Sequence, residues 1–131
     1  YFNSFGGNPV SCAIGNAVLD VIEKDKLQKH SEKIGGYLLL SLSKIKKRYN
    51  DYISEVRGRG LFIGIDIIQK DNKYPNAALA NNIINKMRDK GILLSLDGPH
   101  HNVIKIKPPL PFNKNDCDFL IYELSKILSQ L

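Results

Sequence analysis

The run Leu61-Phe62-Ile63-Gly64-Ile65-Asp66-Ile67-Ile68 decides the fold, because here the apolar period changes from helical to two. Leu61, Ile63, Ile65 and Ile67 alternate with Phe62, Gly64, Asp66 and Ile68, the pattern of a strand buried mainly on one face. Such a strand needs a partner beside it and a cover over its apolar face. The sequence on either side supplies candidates for both.

Upstream, Asn8 is a good N-cap and Pro9 suits the first helical position. Val10, Ala13, Ile14, Ala17, Val18, Val21 and Ile22 then recur at steps of three and four, predicting a helix with one continuous buried stripe. Gly15 interrupts it at a cost of about 1 kcal/mol relative to alanine. After a break near Lys24-Asp25, a longer helix is expected from about Leu27 to Tyr49. Ile34, Leu38, Leu42, Ile45 and Tyr49 lie on one face, lysines lie on the other, and Gly35-Gly36 weakens the middle. Arg57-Gly58-Arg59-Gly60 reads as a bend carrying two cations.

Downstream, Asp71 to Pro75 is a polar turn, and Asn76 can cap a short helix bearing Leu79, Ile83 and Met87, stopped by Gly91 at the C′ position. Ile92-Leu93-Leu94-Ser95-Leu96 suits a short strand covered on both faces. A long loop, Asp97 to Asn102, joins it to Val103-Ile104-Lys105-Ile106-Lys107, and the two should pair as a hairpin. Ile104 and Ile106 share one face, Lys105 and Lys107 share the other with Val103, and Pro108-Pro109 ends the pairing. The last helix is marked by Asn113 as N-cap, Asp116 at the third position and Phe112 placed to staple against Cys117. Its stripe is Cys117, Leu120, Ile121, Leu124, Ile127, Leu128 and Leu131. The expected class is therefore α/β or α+β, a small sheet with helices packed on one face.

A chain of 131 residues, 43% apolar and 24% charged, is one domain's worth. No apolar run approaches the roughly 20 residues of a membrane span, and the first residues lack the features of a signal peptide. The net charge of +6 comes from dispersed residues. Only Lys44, Lys46, Lys47 and Arg48 cluster, on what should be the solvent face of a helix, which argues against nucleic acid as a partner. Cys12 and Cys117 each fall on an apolar helical stripe without a CxxC or Cys/His cluster, favouring reduced core thiols and a cytoplasmic setting. His30 should face solvent, His100-His101 sits in a loop, and neither a metal site nor a triad has the right spacing. The only methionine is Met87, so a chain opening at Tyr1 reads as a fragment.

Ahead of the first cap stands Tyr1-Phe2-Asn3-Ser4-Phe5-Gly6-Gly7, where two glycines let backbone approach a ligand beside the positive end of a helix dipole. This reads as an anion site, most often for phosphate, or as an ordinary glycine turn into a capped helix. The full string N-S-F-G-G-N-P-V-S-C-A-I-G-N-A-V-L-D-V-I-E, Asn3 to Glu23, resembles the segment after the cofactor lysine in class III aminotransferases, which use pyridoxal phosphate. The resemblance continues through Val56 to Asp66, Asp97 to His100 and Asn102 to Pro109, in family order. It looks most like the ethanolamine-phosphate and phosphohydroxylysine phospho-lyase branch.

The resemblance implies the C-terminal small domain of a fold-type I enzyme, residues 1–131 being one fragment. Residues 1–25 would be an interface segment with the first helix, and 26–131 the small α/β domain. It implies a homodimer, a small-molecule amine substrate, and a Schiff-base lysine upstream, so that this fragment holds no catalytic residue and is inactive alone. Ser4 stands where the family's threonine binds the cofactor phosphate of the other subunit. Lys105 stands where an arginine clamps the substrate α-carboxylate in amino-acid transaminases. A point charge there suits a substrate such as phosphoethanolamine better than an α-amino acid. Arg57 and Arg59 are either solvated loop charges or cations near the active-site mouth. The competing functional reading is a catalytically silent interaction domain that kept the fold.

Overall fold

The period-two run becomes the second strand of a four-stranded antiparallel sheet in the computed structural model, which describes residues 2–131 and leaves Tyr1 outside. The strands are β1 (Ile53–Arg59), β2 (Phe62–Ile67), β3 (Ser95–Asp97) and β4 (Val103–Ile106), in the spatial order β1-β2-β4-β3. The helices are α1 (Pro9–Lys24), α2 (Leu27–Arg48), α3 (Ala77–Arg88) and α4 (Lys114–Leu128). Ile63, Ile65 and Ile67 of β2 and Ile104 and Ile106 of β4 are fully buried, as alternation requires. Against them pack Leu38, Leu42 and Ile45 of α2, Ala80, Ile83 and Met87 of α3, and Leu120, Leu124 and Leu128 of α4. Each fully buried aliphatic side chain contributes about 1.5–3 kcal/mol, so this one-sided layer holds the domain together.

The caps explain where the helices start. Asn8 accepts from Ser11 N–H at 2.9 Å, Asn76 accepts from Leu79 N–H at 3.0 Å, and Asn113 with Asp116 forms a reciprocal capping box. Gly91, with φ +80, lies two residues past the α3 cap Asp89, and Ile92 N–H returns to Met87 O at 3.0 Å.

Several expectations are corrected. The stripe of α1 is not buried: Val10 is 69% exposed, Ile14 61%, Val18 53% and Val21 51%. Among the described residues this helix packs only against α2 and reaches no strand, which leaves its apolar face open. Cys12, on that helix, is exposed for the same reason, whereas Cys117 is buried and burial pushes its thiol up to about 11. Residues 57–59 are not a bend but the end of β1, and the turn is the two-residue Gly60-Leu61 loop between paired Arg59 and Phe62. Gly60, with φ +54, takes the first loop position, where a tight hairpin needs a left-handed residue. The expected strand 92–96 shrinks to Ser95–Asp97 at the sheet edge, and Leu93 is 82% exposed rather than covered. His30 does not face solvent: half-buried, its Nε2 lies 2.8 Å from Phe112 O, tying the start of α2 to the entry of α4. Leu131 lies beyond α4 and is 45% exposed, outside the buried stripe.

The second helix reaches the sheet closely. A Cβ on Gly35 would lie 2.0 Å from Gly60 O, so the absence of a side chain lets α2 seat directly on the β1–β2 turn. Leu61 N–H, in the same turn, donates to Ser31 Oγ at 3.3 Å.

Candidate functional site

With three helices covering one face of the sheet, the other face is left open, and the register aligns its side chains in rows. Arg57 pairs with Gly64, Gly64 with Lys105 and Lys105 with Ser95, so these four cross the sheet in one line. At a strand spacing of about 4.8 Å, the α-carbons of Arg57 and Lys105 stand roughly 10 Å apart across a residue without a side chain. A Cβ on Gly64 would meet Val103 Cγ1 at 3.1 Å, so this notch admits glycine most comfortably. An open hollow of about 430 Å³ lies over it, lined by Arg57, Arg59, Phe62, Gly64, Asp97 and Lys105 among others.

The neighbouring row is acidic. Glu55 pairs with Asp66, Asp66 with Val103 and Val103 with Asp97. Each carboxylate reaches back toward the basic row. Arg57 Nη1 donates to Asp66 Oδ2 at 2.7 Å and to Glu55 Oε2 at 2.9 Å, and the bond to Asp66 is the main reason its pKa is raised. Lys105 Nζ donates to Asp97 Oδ2 at 2.9 Å, while Gly98 N–H donates to Asp97 Oδ1 at 2.8 Å. Those two bonds, Lys105 first, hold the Asp97 carboxyl below the usual carboxylate range. Asp66 Oδ1 is buried and has no hydrogen-bond partner, which leaves one acceptor beside the hollow.

Lys105 lies on the open face, opposite buried Ile104 and Ile106 as alternation predicts, and it lines the hollow. Ser4 is elsewhere: it is exposed in the turn that precedes α1, and the hollow does not include it. In that turn Gly6 N–H donates to Asn3 O at 3.2 Å and Phe5 N–H to Asn3 Oδ1 at 3.0 Å. Among the described residues the Ser4 hydroxyl and the N–H groups of Ser4 and Gly7 make no hydrogen bond. Asn8 already occupies one N–H of the helix start, so it is the turn that offers donors to an anion.

The partnership of Lys105 with Asp97 and the alignment of Arg57 with Lys105 were not legible in the sequence. A register irregularity between Ile53 and Glu55 breaks the alternation in β1, so the period of two that reveals β2 is hidden there. His100 and His101 are exposed in the β3–β4 loop, and among the described residues no group of three His, Cys, Asp or Glu could hold a metal ion. No helix among them is long and apolar enough to cross a membrane.

The family model for class-III aminotransferases matches residues 2–128. The chain belongs to that family. It is 45% identical over 120 residues to an alanine–glyoxylate aminotransferase 2-like protein of Drosophila melanogaster, covering 90% of this chain and 24% of that protein. It is 41% identical over 131 residues to an ethanolamine-phosphate phospho-lyase homologue of Caenorhabditis elegans, covering 98% of this chain and 28% of that one. A solved phospholyase from Arthrobacter, in complex with phosphoethanolamine, superposes with a TM-score of 0.95 at 42% identity. That match covers 100% of this chain and 31% of the other. This class-III chain thus spans about a quarter of the length of the curated relatives it matches, and its fold is that of the small domain of fold-type I enzymes.

Proposed function

We propose that this chain forms one wall of the active site of a longer pyridoxal-phosphate enzyme that acts on a phosphorylated amine of the phosphoethanolamine kind. The observation that carries the reading is Lys105, an ammonium facing the hollow from the open sheet face and held at 2.9 Å by Asp97. A carboxylate clamp needs a planar fork with parallel donors, which a lysine cannot offer. A compact phosphate asks only for concentrated positive charge. The similarity to a phospholyase structure and to a phospho-lyase homologue supports the same substrate class.

The residues present fit the cofactor's phosphate. Ser4 Oγ, Ser4 N–H and Gly7 N–H are donors left unused by the turn, a set suited to a phosphate monoester. Pyridoxal phosphate, when bound in the longer protein, supplies the electron sink that lets a phosphate group leave from a neighbouring carbon. The chain's own part is to bind and orient. Asp97 keeps Lys105 aimed across the notch at Gly64, and Asp66 with Glu55 fixes Arg57 on the other side. Because α1 carries an apolar face that nothing among the described residues covers, residues 1–25 act as an interface segment. Ser4 then serves the cofactor of a second copy in a homodimer, while residues 26–131 form the small domain. A cytoplasmic setting goes with this reading, and the buried thiol of Cys117 fits a reducing compartment.

The test uses the full-length holoenzyme. Inorganic phosphate should be released from phosphoethanolamine, and Lys105→Ala should lower kcat/KM about ten- to a hundredfold, the loss of one charge-assisted contact. Efficient transamination of alanine without phosphate release would refute the phospho-lyase reading. A full-length protein that neither holds the cofactor nor turns over any amine would instead favour a silent interaction domain.

A further inference from the structure

The open face of the sheet has a third row beyond the two that build the notch. Arg59 pairs with Phe62 across β1 and β2, and Lys107, one residue past β4, holds its Nζ 5.8 Å from the centre of the Phe62 ring. Phe62 is 57% exposed, and both cations are exposed. The charge balance differs sharply from the other rows. Arg57 is matched by Asp66 and Glu55, and Lys105 by Asp97, so those cations bring little unbalanced charge to the hollow. Among the described residues neither Arg59 nor Lys107 makes an ion pair. Glu32 shares a separate hollow with Arg59, and Asp116 another with Lys107, but neither carboxylate bridges to them.

We infer that Arg59 and Lys107, standing on either side of Phe62, form an anion subsite for the phosphate of the substrate, next to the notch held by Lys105. At the strand spacing of about 4.8 Å the two backbones are roughly 10 Å apart, a span that two long side chains can close around one phosphate. A dianion placed there meets two cations without displacing a carboxylate. Lys105, already bonded to Asp97, adds its own contact to the same substrate from the neighbouring row. Phe62 supplies an apolar floor between them, with Lys107 Nζ 5.8 Å from the centre of its ring. Lys105 then orients the substrate from the neighbouring row, and the unbalanced pair supplies the attraction. The inference rests on the phosphorylated-amine reading for its substrate, while the subsite itself is defined by phosphate.

The test compares wild-type full-length holoenzyme with Arg59→Gln, Lys107→Gln and the charge-keeping Arg59→Lys. Binding of inorganic phosphate is followed by calorimetry, and the KM for phosphoethanolamine by phosphate release. Each glutamine variant should weaken phosphate binding about tenfold and raise the KM by a similar factor with kcat little changed, and Arg59→Lys should retain most of the binding. Phosphate affinity unchanged in both glutamine variants overturns the subsite. Phosphate binding that is lost in the glutamine variants, in a protein that releases no phosphate from phosphoethanolamine, supports the subsite and refutes the phospho-lyase reading. An unaltered circular dichroism melt verifies that each variant folds as the wild type does.

Discussion

Gly35 and Gly36 are neighbours in the middle of α2, and alanine should act on them with opposite sign. Alanine at either position gains about 1 kcal/mol of helix propensity over glycine. At Gly36 a Cβ would meet nothing within 4 Å, so the gain is kept. At Gly35 the Cβ would sit 2.0 Å from Gly60 O, 2.3 Å from Gly60 C and 2.7 Å from Gly60 Cα. These are backbone atoms of a tight turn and cannot rotate away as the end of a side chain would. The overlap is roughly 1.5 Å inside ordinary contact, so either α2 or the β1–β2 hairpin must move. Overpacking on this scale costs about 1–3 kcal/mol or more, which outweighs the propensity gain. Gly35→Ala should therefore destabilise the 131-residue chain by about 2 kcal/mol, while Gly36→Ala stabilises it by somewhat under 1 kcal/mol. With about 4 °C per kcal/mol for a domain of this size, thermal melts followed at 222 nm should separate the variants by roughly 10 °C. A Gly35→Ala chain melting as high as Gly36→Ala would refute the claim that α2 is seated by backbone contact.

Three further outcomes are expected. Asp118 is held below the usual carboxylate range by Lys114 first and Tyr37 second. Its stabilising effect is therefore full above the unfolded carboxyl pKa and is lost as pH falls through the lower, folded value; Tyr37→Phe should shrink this acid-limb loss in urea titrations at pH 2–5. Glu123 is only 8% exposed, and its Oε2 has no hydrogen-bond partner, so Glu123→Met should raise the melting temperature by a few degrees. A fall there would mean the carboxylate is satisfied. Val18→Ser on the open face of α1 should change the stability of this chain by less than about 0.5 kcal/mol, against about 2–5 kcal/mol for Leu38→Ala in the core; equal losses in denaturant midpoints would contradict the exposure of α1.

How far the sequence carries depends on what kind of neighbour each pattern has. Alternation in Leu61 to Ile67 and most of the stripes of α2, α3 and α4 are covered by other parts of the same chain, so pattern and burial agree there. The exceptions are Ile68, expected on the opposite face yet buried, and Leu131, expected in the α4 stripe yet exposed. The stripe of α1 is as regular, yet it is exposed, because period alone reports that a face is apolar and not which molecule covers it. The same limit governs the site. Lys105 could be placed on the open face by counting from buried Ile104 and Ile106, since its position depends on its own strand. Its electrostatic state could not, because that depends on Asp97, eight residues away across a hairpin whose register the sequence leaves open. Arg57 and Arg59 were hidden further by the irregularity at the start of β1. Alternation assigns faces, register assigns partners, and partners decide which cations still have charge to offer. On that basis the exposed pair Arg59 and Lys107, rather than Lys105 alone, carries the unbalanced positive charge of this face, a distinction that paired phosphate-binding measurements on Lys105→Ala and Arg59→Gln resolve directly.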